Sequence, residues 1–423
     1  MNSPHLAIIL LSPPDNGYPL ILENKVAGVP VFKRLILTLQ RAGIKEFLVL
    51  SQQLDEREIK VHRKDIEKDS RFKSLLHWHD RTEFFEENNK ERANSLTPSQ
   101  PFLLVNGNLV THQKVVKRFM ESEDNNNPAG IFCLALDKPG GLYLLPPTKF
   151  STLSHRNGAE EDEDKVERIA LPADTNFYIE VRDNASALEA EKKLLRYNKH
   201  HYHQFMDIWV NSLFSRHISA ALVKTPLTPN VLSLFGLFIG FLSGWCFAQG
   251  DYLSGLAGGI LLVLTAIWDC CDGDVARLKL IESDFGEKLD TICDNLVNVF
   301  AFTGMMLGVS QTHGWVQALT PFTMLAVGGG MIFAFIYFPE GGKGNFFRHS
   351  EMYDVIQTLA SRNFIYVILL FSIGGHLNWF LWLAGVGSLT FALALFLARR
   401  QTIKTAVRIL ALPWDGEPFS FII

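Results

Sequence analysis

The chain of 423 residues is short of charge, of cysteine and of any excess of basic residues, and each shortage excludes something. Only 20% of the residues are charged, against about 25% in ordinary soluble domains, and mean hydropathy is +0.11, which excludes disorder over most of the length. A formal net charge of −4 removes the basic footprint that nucleic-acid binding demands. The five cysteines, Cys133, Cys246, Cys270, Cys271 and Cys293, form no C-x-x-C pair, so neither a disulfide framework nor a thiolate zinc site is indicated. The start, MNSPHLAIILLSPPDNG, lacks the basic n-region of a secretory signal and breaks at Pro13-Pro14, so the first part of the chain is expected in the cytosol.

Basic residues are scarcest in one half. Residues 1–230 carry 30 Lys+Arg and 30 Asp+Glu, whereas 231–398 carry 6 and 12. The pattern is a charge-balanced soluble part followed by a membrane part. In the soluble part, Leu6 to Leu11, Glu46 to Ser51, Pro101 to Val105 and Gly130 to Leu136 read as strands. Between the first two, Pro30 opens a helix with Val31, Leu35, Leu39 and Ala42 on one face, ended by Gly43. Strand, helix, strand in that order predicts an α/β domain with a mainly parallel sheet. The charge run at 156–168, RNGAEEDEDKVER, reads as a solvated loop. A helix from Asn184, its expected N-cap, ends the domain near 197. Residues 198–227 follow as a linker, with Trp209, Leu213, Phe214, Ile218 and Leu222 spaced as the apolar face of a helix lying on a bilayer.

From Thr228-Pro229-Asn230 to about residue 400 there are six apolar stretches, near 231–248, 252–275, 288–310, 315–338, 356–375 and 377–398, most close to the ~20 residues that span a bilayer. Arg277, Lys279 and Lys288 lie between the second and third; Lys343, Arg348 and Arg362 lie between the fourth and fifth; the other connections have no Lys or Arg. The positive-inside rule then predicts six crossings with both termini in the cytosol, leaving 401–423 as a cytosolic tail.

Eight of the 12 acidic residues of 231–398 crowd between 269 and 294. Asp269 and Asp272, three apart, share one helix face; Asp290 and Asp294, four apart, share another. If the two helices are antiparallel neighbours, the pairs face each other. Clustered carboxylates repel unless cations neutralise them, and their hard oxygens favour Mg2+, Mn2+ or Ca2+ over zinc. Such a site suits phosphoryl or phosphatidyl transfer. A divalent-cation transporter is the alternative from another class, although transport favours carboxylates near the bilayer midplane on several helices.

The run Asp-x2-Asp-Gly-x2-Ala-Arg-x8-Gly-x3-Asp-x3-Asp, filled by Asp269, Asp272, Gly273, Ala276, Arg277, Gly286, Asp290 and Asp294, resembles the signature of the CDP-alcohol phosphatidyltransferase family without a departure. The resemblance, covering roughly 205–400, implies two divalent metal ions, Mg2+ or Mn2+, on the four aspartates. It implies a cytidine diphosphate pocket around Gly273, Ala276, Arg277, Gly286 and Asn230, with Asp294 as the base toward the acceptor hydroxyl. The partners it implies are a CDP-activated lipid and an alcohol acceptor among membrane lipids, and a homodimer. Phe214 to Asn230 is similar to the entry of members that use inositol phosphate or related phosphorylated alcohols; Arg362, Lys343 and Arg348 are candidates for the acceptor phosphate.

Residues 1–197 resemble the sugar-nucleotidyltransferase family, through the stretch from Leu6 to Ser51, Val105 to Leu109 and FYIEVRDNASALEAEKKLL. That implies a Rossmann-like fold and, in fused relatives, synthesis of the CDP-alcohol. Two departures argue against activity here. Ser12-Pro13-Pro14-Asp15-Asn16-Gly17 stands where a glycine-rich phosphate loop is expected, and prolines lack its N–H donors. Asn108 stands where a metal-binding carboxylate is expected. The expectation is a retained fold without nucleotidyl transfer; the alternative is a bifunctional enzyme.

Overall fold

A computed structural model describes residues 4–11, 22, 24–52, 54, 56–86, 96–121, 131–135, 139–154, 166–169, 177–197, 210–337 and 363–410. By contacts the chain divides into two units: 1–201 with 216–227 and 273–282, and 202–215 with 228–272 and 283–423.

The first unit is an α/β domain. Its strands β1 (Leu6–Leu11), β4 (Glu46–Ser51), β5 (Leu75–Asp80), β6 (Phe102–Asn106), β8 (Ile131–Ala135), β9 (Pro139–Leu145) and β10 (Val166–Ile169) form one sheet in the order β10-β8-β9-β6-β1-β4-β5, while β2 (Lys25–Val26) pairs with β3 (Val29–Pro30) and β7 (Leu109–Thr111) with β11 (Tyr178–Glu180). All pairings are parallel except those of β9, which runs antiparallel to β6 and β8. The central strands are apolar at nearly every position because both faces are covered. Ala7, Ile9, Phe47, Val49, Leu103 and Val105 join one core, together with Phe32, Leu35, Ile36 and Leu39 of α1 (Val31–Arg41). Their neighbours Ile8, Leu48, Leu50, Phe102 and Leu104 join a second core with Phe84 and Phe150. The period-two alternation thus builds two cores from one run of residues.

The four expected strands and α1 stand within a residue or so of their predicted bounds, and Gly43 ends α1 with φ 115°. Two local expectations are corrected. Val166–Ile169, overlapping the end of the run read as a solvated loop, is an edge strand paired parallel with β8, where Glu167 and Arg168 are tolerated; residues 156–165 lie outside the described residues. After α2 (Glu56–Glu67), α3 (Arg81–Phe84) and α4 (Gln113–Glu121), the helix Asn184–Tyr197 (α5) begins at Asn184, and it is Asp183 whose carboxylate accepts from the Ser186 N–H at 2.7 Å.

Three arginines of this unit take successive carbonyls of its 273–282 segment. Arg34, 2% exposed, donates to Val26 O at 2.8 Å and Leu278 O at 2.5 Å. Arg71 donates to Lys279 O at 2.6 Å, and Arg41 to Leu280 O at 2.8 Å and to the Glu282 carboxylate. Burial, then Arg71, lowers the Arg34 pKa to about 9, so it stays protonated at neutral pH and its charge rests on carbonyl dipoles. Leu280 adopts φ 57°, which costs about 1–2 kcal/mol for a residue with a Cβ. The arginine contacts and the Ile281 N–H to Ala276 O bond of 2.9 Å offset that cost. Lys279 Nζ in turn donates to Thr225 O at 2.6 Å and Leu227 O at 3.0 Å.

The second unit is helical. Among the described residues, five helices are long and apolar enough to cross a membrane: α7 (Pro229–Ala248), α8 (Tyr252–Leu278), α9 (Asp284–His313), α10 (Trp315–Tyr337) and α12 (Leu377–Leu410). This is the make-up of a multi-pass membrane domain. The fifth expected stretch is the apolar helix α11 (Phe364–Ile373), whose ten described residues fall short of a span. Pro229 at the first turn opens α7, and Ser283 caps α9 by accepting from Gly286 N–H at 3.1 Å. On α7 and α9, Gly244 and Gly304 let backbones touch: a methyl on Gly304 would overlap the Gly244 carbonyl. Along α6 (Ser212–Leu222) and just before it, Asn211, Ser212, Ser215 and Ser219 are buried while Leu213 and Phe214 are exposed. Small polar residues of this stretch therefore point inward and these two apolar ones outward; Trp209 lies outside the described residues.

Candidate metal centre

The acidic cluster is brought together by two helices of the second unit. Asp269 and Asp272 project from α8 and Asp290 from α9, each offering one carboxylate oxygen within 4.8 Å of the others. Asp272 is 5% exposed; Asp269 and Asp290 are half-buried. Three carboxylates so close in a mostly apolar helical unit need compensation, and their oxygens suit a hard divalent ion. Ser233 Oγ supplies a fixed hydrogen bond to Asp272 Oδ2 at 2.7 Å, and lies 3.2 Å from Pro229 O.

These aspartates line a cavity of about 60 Å³, room for ions and a few waters. Asp294 lines it too but lies outside the group of three. Ser233, Thr265, Cys293 and Asn298 add to its polar wall, with Trp268 and Ile365 among the apolar lining. Gly286 and Asn230 also meet in this unit: a Cβ on Gly286 would lie 3.3 Å from Asn230 Oδ1.

Gly273, Ala276 and Arg277 continue α8 into the first unit. Arg277 folds back along the helix over Gly273, where a Cβ would lie 3.1 Å from Nη1 and 3.2 Å from Nη2. Its Nη2 donates to Asp274 Oδ1 at 2.9 Å. Lys343, Arg348 and Arg362 lie outside the described residues.

Three residues here were not singled out from sequence: Ser233, Asp274 and Ser219. Ser233 sits one turn after Pro229 in an apolar helix, where a lone serine carries little signal. Asp274 is one of eight clustered acids, and its bonds to Arg277 and Ser219, together with its burial, set it apart.

Residues 226–390 match the family model described as CDP-alcohol phosphatidyltransferase. Among curated proteins, the chain is 30% identical over 198 residues to a "Bifunctional IPC transferase and DIPP synthase" of Aquifex aeolicus, covering 45% of this chain and 43% of that one. It is 25% identical over 182 residues to the protein of the same name from Archaeoglobus fulgidus, covering 42% and 35%. An "Archaetidylinositol phosphate synthase" of Pyrococcus horikoshii is 34% identical over 92 residues, covering 22% and 47%. The chain spans less than half the length of each of these relatives. Among solved structures, the inositol-1-phosphate CTP transferase from T. maritima matches at TM-score 0.33 and 13% identity, over 45% of this chain and 96% of that one.

Proposed function

We propose, from the premise that residues 226–390 are a CDP-alcohol phosphatidyltransferase domain, that this chain transfers a phosphatidyl-type group from a CDP-activated lipid to an alcohol and releases CMP. The observation that carries the reading is the meeting of Asp269, Asp272 and Asp290 within 4.8 Å in a cavity that Asp294 also lines.

Asp269, Asp272, Asp290 and Asp294 would hold two divalent ions, Mg2+ or Mn2+, which supply charge stabilisation on the diphosphate and its leaving oxygen. Gly273, Ala276, Arg277, Gly286 and Asn230 receive the cytidine diphosphate. At Gly273 and Gly286 a side chain would crowd Arg277 and Asn230. Asp294, beside the three-carboxylate group, takes the proton from the acceptor hydroxyl as that oxygen bonds to the lipid-linked phosphorus and the bond to CMP breaks. The acceptor is a phosphorylated polyol of the inositol phosphate class. The resemblance around Phe214 to Asn230 and the archaetidylinositol phosphate synthase relative support this, with Arg362, Lys343 and Arg348 as its phosphate contacts. Six crossings with cytosolic termini and a homodimeric assembly complete the reading. The test is CMP release from CDP-diacylglycerol by the purified full chain, with and without Mg2+ or Mn2+, across a panel of polyol phosphates. Metal-dependent release with one acceptor supports the reading; cation flux without CMP release supports a transporter.

The relatives favour a second reading, in which the α/β domain itself makes the CDP-alcohol, because two of them are named as bifunctional. Asn108 and the Pro13-Pro14 loop weigh toward a single activity. The full chain carrying Asp290→Ala, incubated with CTP and inositol 1-phosphate, decides between them by its pyrophosphate release.

A further inference from the structure

Asp274 stands at a position the aspartate signature leaves open, yet it is 4% exposed and both of its oxygens are engaged. Oδ1 accepts from Arg277 Nη2 at 2.9 Å, and Oδ2 accepts from Ser219 Oγ at 3.3 Å. Ser219 is itself fully buried, on α6. A buried carboxylate is costly unless it is paired and hydrogen-bonded, so this group is retained against a desolvation cost.

The other end of Arg277 is different. Among the described residues its Nε is buried and has no hydrogen-bond partner. A buried guanidinium N–H without a protein acceptor is a donor open to an incoming oxygen. The side chain lies over Gly273, where any Cβ would press on Nη1 and Nη2, so its folded-back rotamer depends on that glycine. Arg277 is therefore fixed at Nη2, laid back over Gly273, and left with an unmatched donor.

We infer that Asp274, anchored by Ser219, is a positioning residue that holds Arg277 in its binding geometry for the diphosphate of the CDP-activated donor. Holding the guanidinium before the ligand arrives removes much of the rotamer entropy that an arginine loses when it forms a charge-assisted contact. The inference rests on the CDP-binding role proposed for Arg277. It adds that Asp274 acts through Arg277 and makes no separate contribution to the donor or the metal.

A double-mutant cycle on the full chain in detergent tests this, read as the dissociation constant for CDP in saturating Mn2+. Asp274→Asn is expected to weaken CDP on the order of tenfold, the scale of one charge-assisted hydrogen bond, and Arg277→Ala at least as much. In the Arg277→Ala background, Asp274→Asn should add nothing. Mn2+ affinity without CDP should be unchanged in Asp274→Asn, and donor KM should rise while kcat at saturation stays within about twofold. Unchanged CDP affinity in Asp274→Asn, or independent losses that multiply in the double mutant, overturns the inference while leaving the CDP role of Arg277 standing. Unchanged affinity in Arg277→Ala overturns that role itself. If Asp274→Asn does not fold, Ser219→Ala, which keeps the ion pair, takes its place in the same cycle with an expected loss of about threefold from one neutral hydrogen bond.

Discussion

Ser233 and Asp272 join α7 to α8 at the point where the acidic group forms: the serine hydroxyl donates to Asp272 Oδ2 at 2.7 Å and fixes the plane of the most buried carboxylate of the three. Partners that orient a ligand in this way are worth about 10–100-fold in metal affinity. Ser233→Ala should weaken Mn2+ binding by about tenfold while the fold persists, as followed by electron paramagnetic resonance titration. Unaltered Mn2+ affinity would mean that Asp272 needs no such support.

The four aspartates should separate by role. Asp269→Ala, Asp272→Ala and Asp290→Ala each remove an oxygen donor and should abolish CMP release together with high-affinity metal binding. Asp294→Asn keeps an oxygen but cannot take a proton, so it should lose turnover by about 100-fold or more while retaining measurable metal binding. Near-normal turnover in Asp294→Asn sinks its assignment as base.

Packing of α7 on α9 makes a prediction independent of chemistry. The carbonyl of Gly244 occupies the space a methyl on Gly304 would need, and a backbone group cannot rotate away. Gly304→Ala should destabilise the helical unit by about 1–3 kcal/mol. Gly329, with nothing within 4 Å of its would-be Cβ, is the control: Gly329→Ala should be neutral or slightly stabilising. Equal melting temperatures for the two variants would contradict the close approach.

Asp69 gives a pH dependence of known sign. It accepts from Arg71 Nε at 2.7 Å and Nη2 at 2.5 Å and pairs with Lys33 at 2.7 Å. The Arg71 hydrogen bond is the main cause holding its carboxyl well below the usual carboxylate range, with Lys33 adding to it against the effect of burial. A folded pKa below the unfolded value of about 3.9 means the contribution is complete above that pH and is lost as pH falls toward the folded value. Asp69→Asn should therefore cost roughly 1–3 kcal/mol from pH 8 down to about 5, and the gap to wild type should begin to narrow below about pH 4 and shrink further as the pH falls. A gap that widens with acid would reverse the sign and refute the assignment.

Much of this was legible in the sequence where one local pattern decides. β1 and β4 are apolar at nearly every position, and α1 lies between Pro30 and Gly43, so their limits follow from composition. The aspartate spacing located the acidic group, because three- and four-residue intervals fix a helix face. What could not be read depends on distant partners. β10 is made a strand by β8, more than thirty residues away, against its own charge. Arg34, Arg41 and Arg71 read as ordinary surface charges of an α/β domain, since the carbonyls they take lie more than 200 residues on and have no side-chain signature. Asp274 is indistinguishable from its acidic neighbours until its bonds to Arg277 and Ser219 separate it.

The discontinuity of the first unit also sets an order of events during synthesis. Arg34, buried and charged, receives its last acceptor only when Leu278 exists, 244 residues after Arg34 itself is added to the chain. At about 5–20 residues per second the α/β domain waits on the order of ten seconds or longer in an incomplete state. During that interval α7 and most of α8 must already be passing into the bilayer. The domain made first is thus among the last to be finished, and a ribosome stalled between residues 200 and 278 should leave it open to proteases and chaperones that the completed chain excludes.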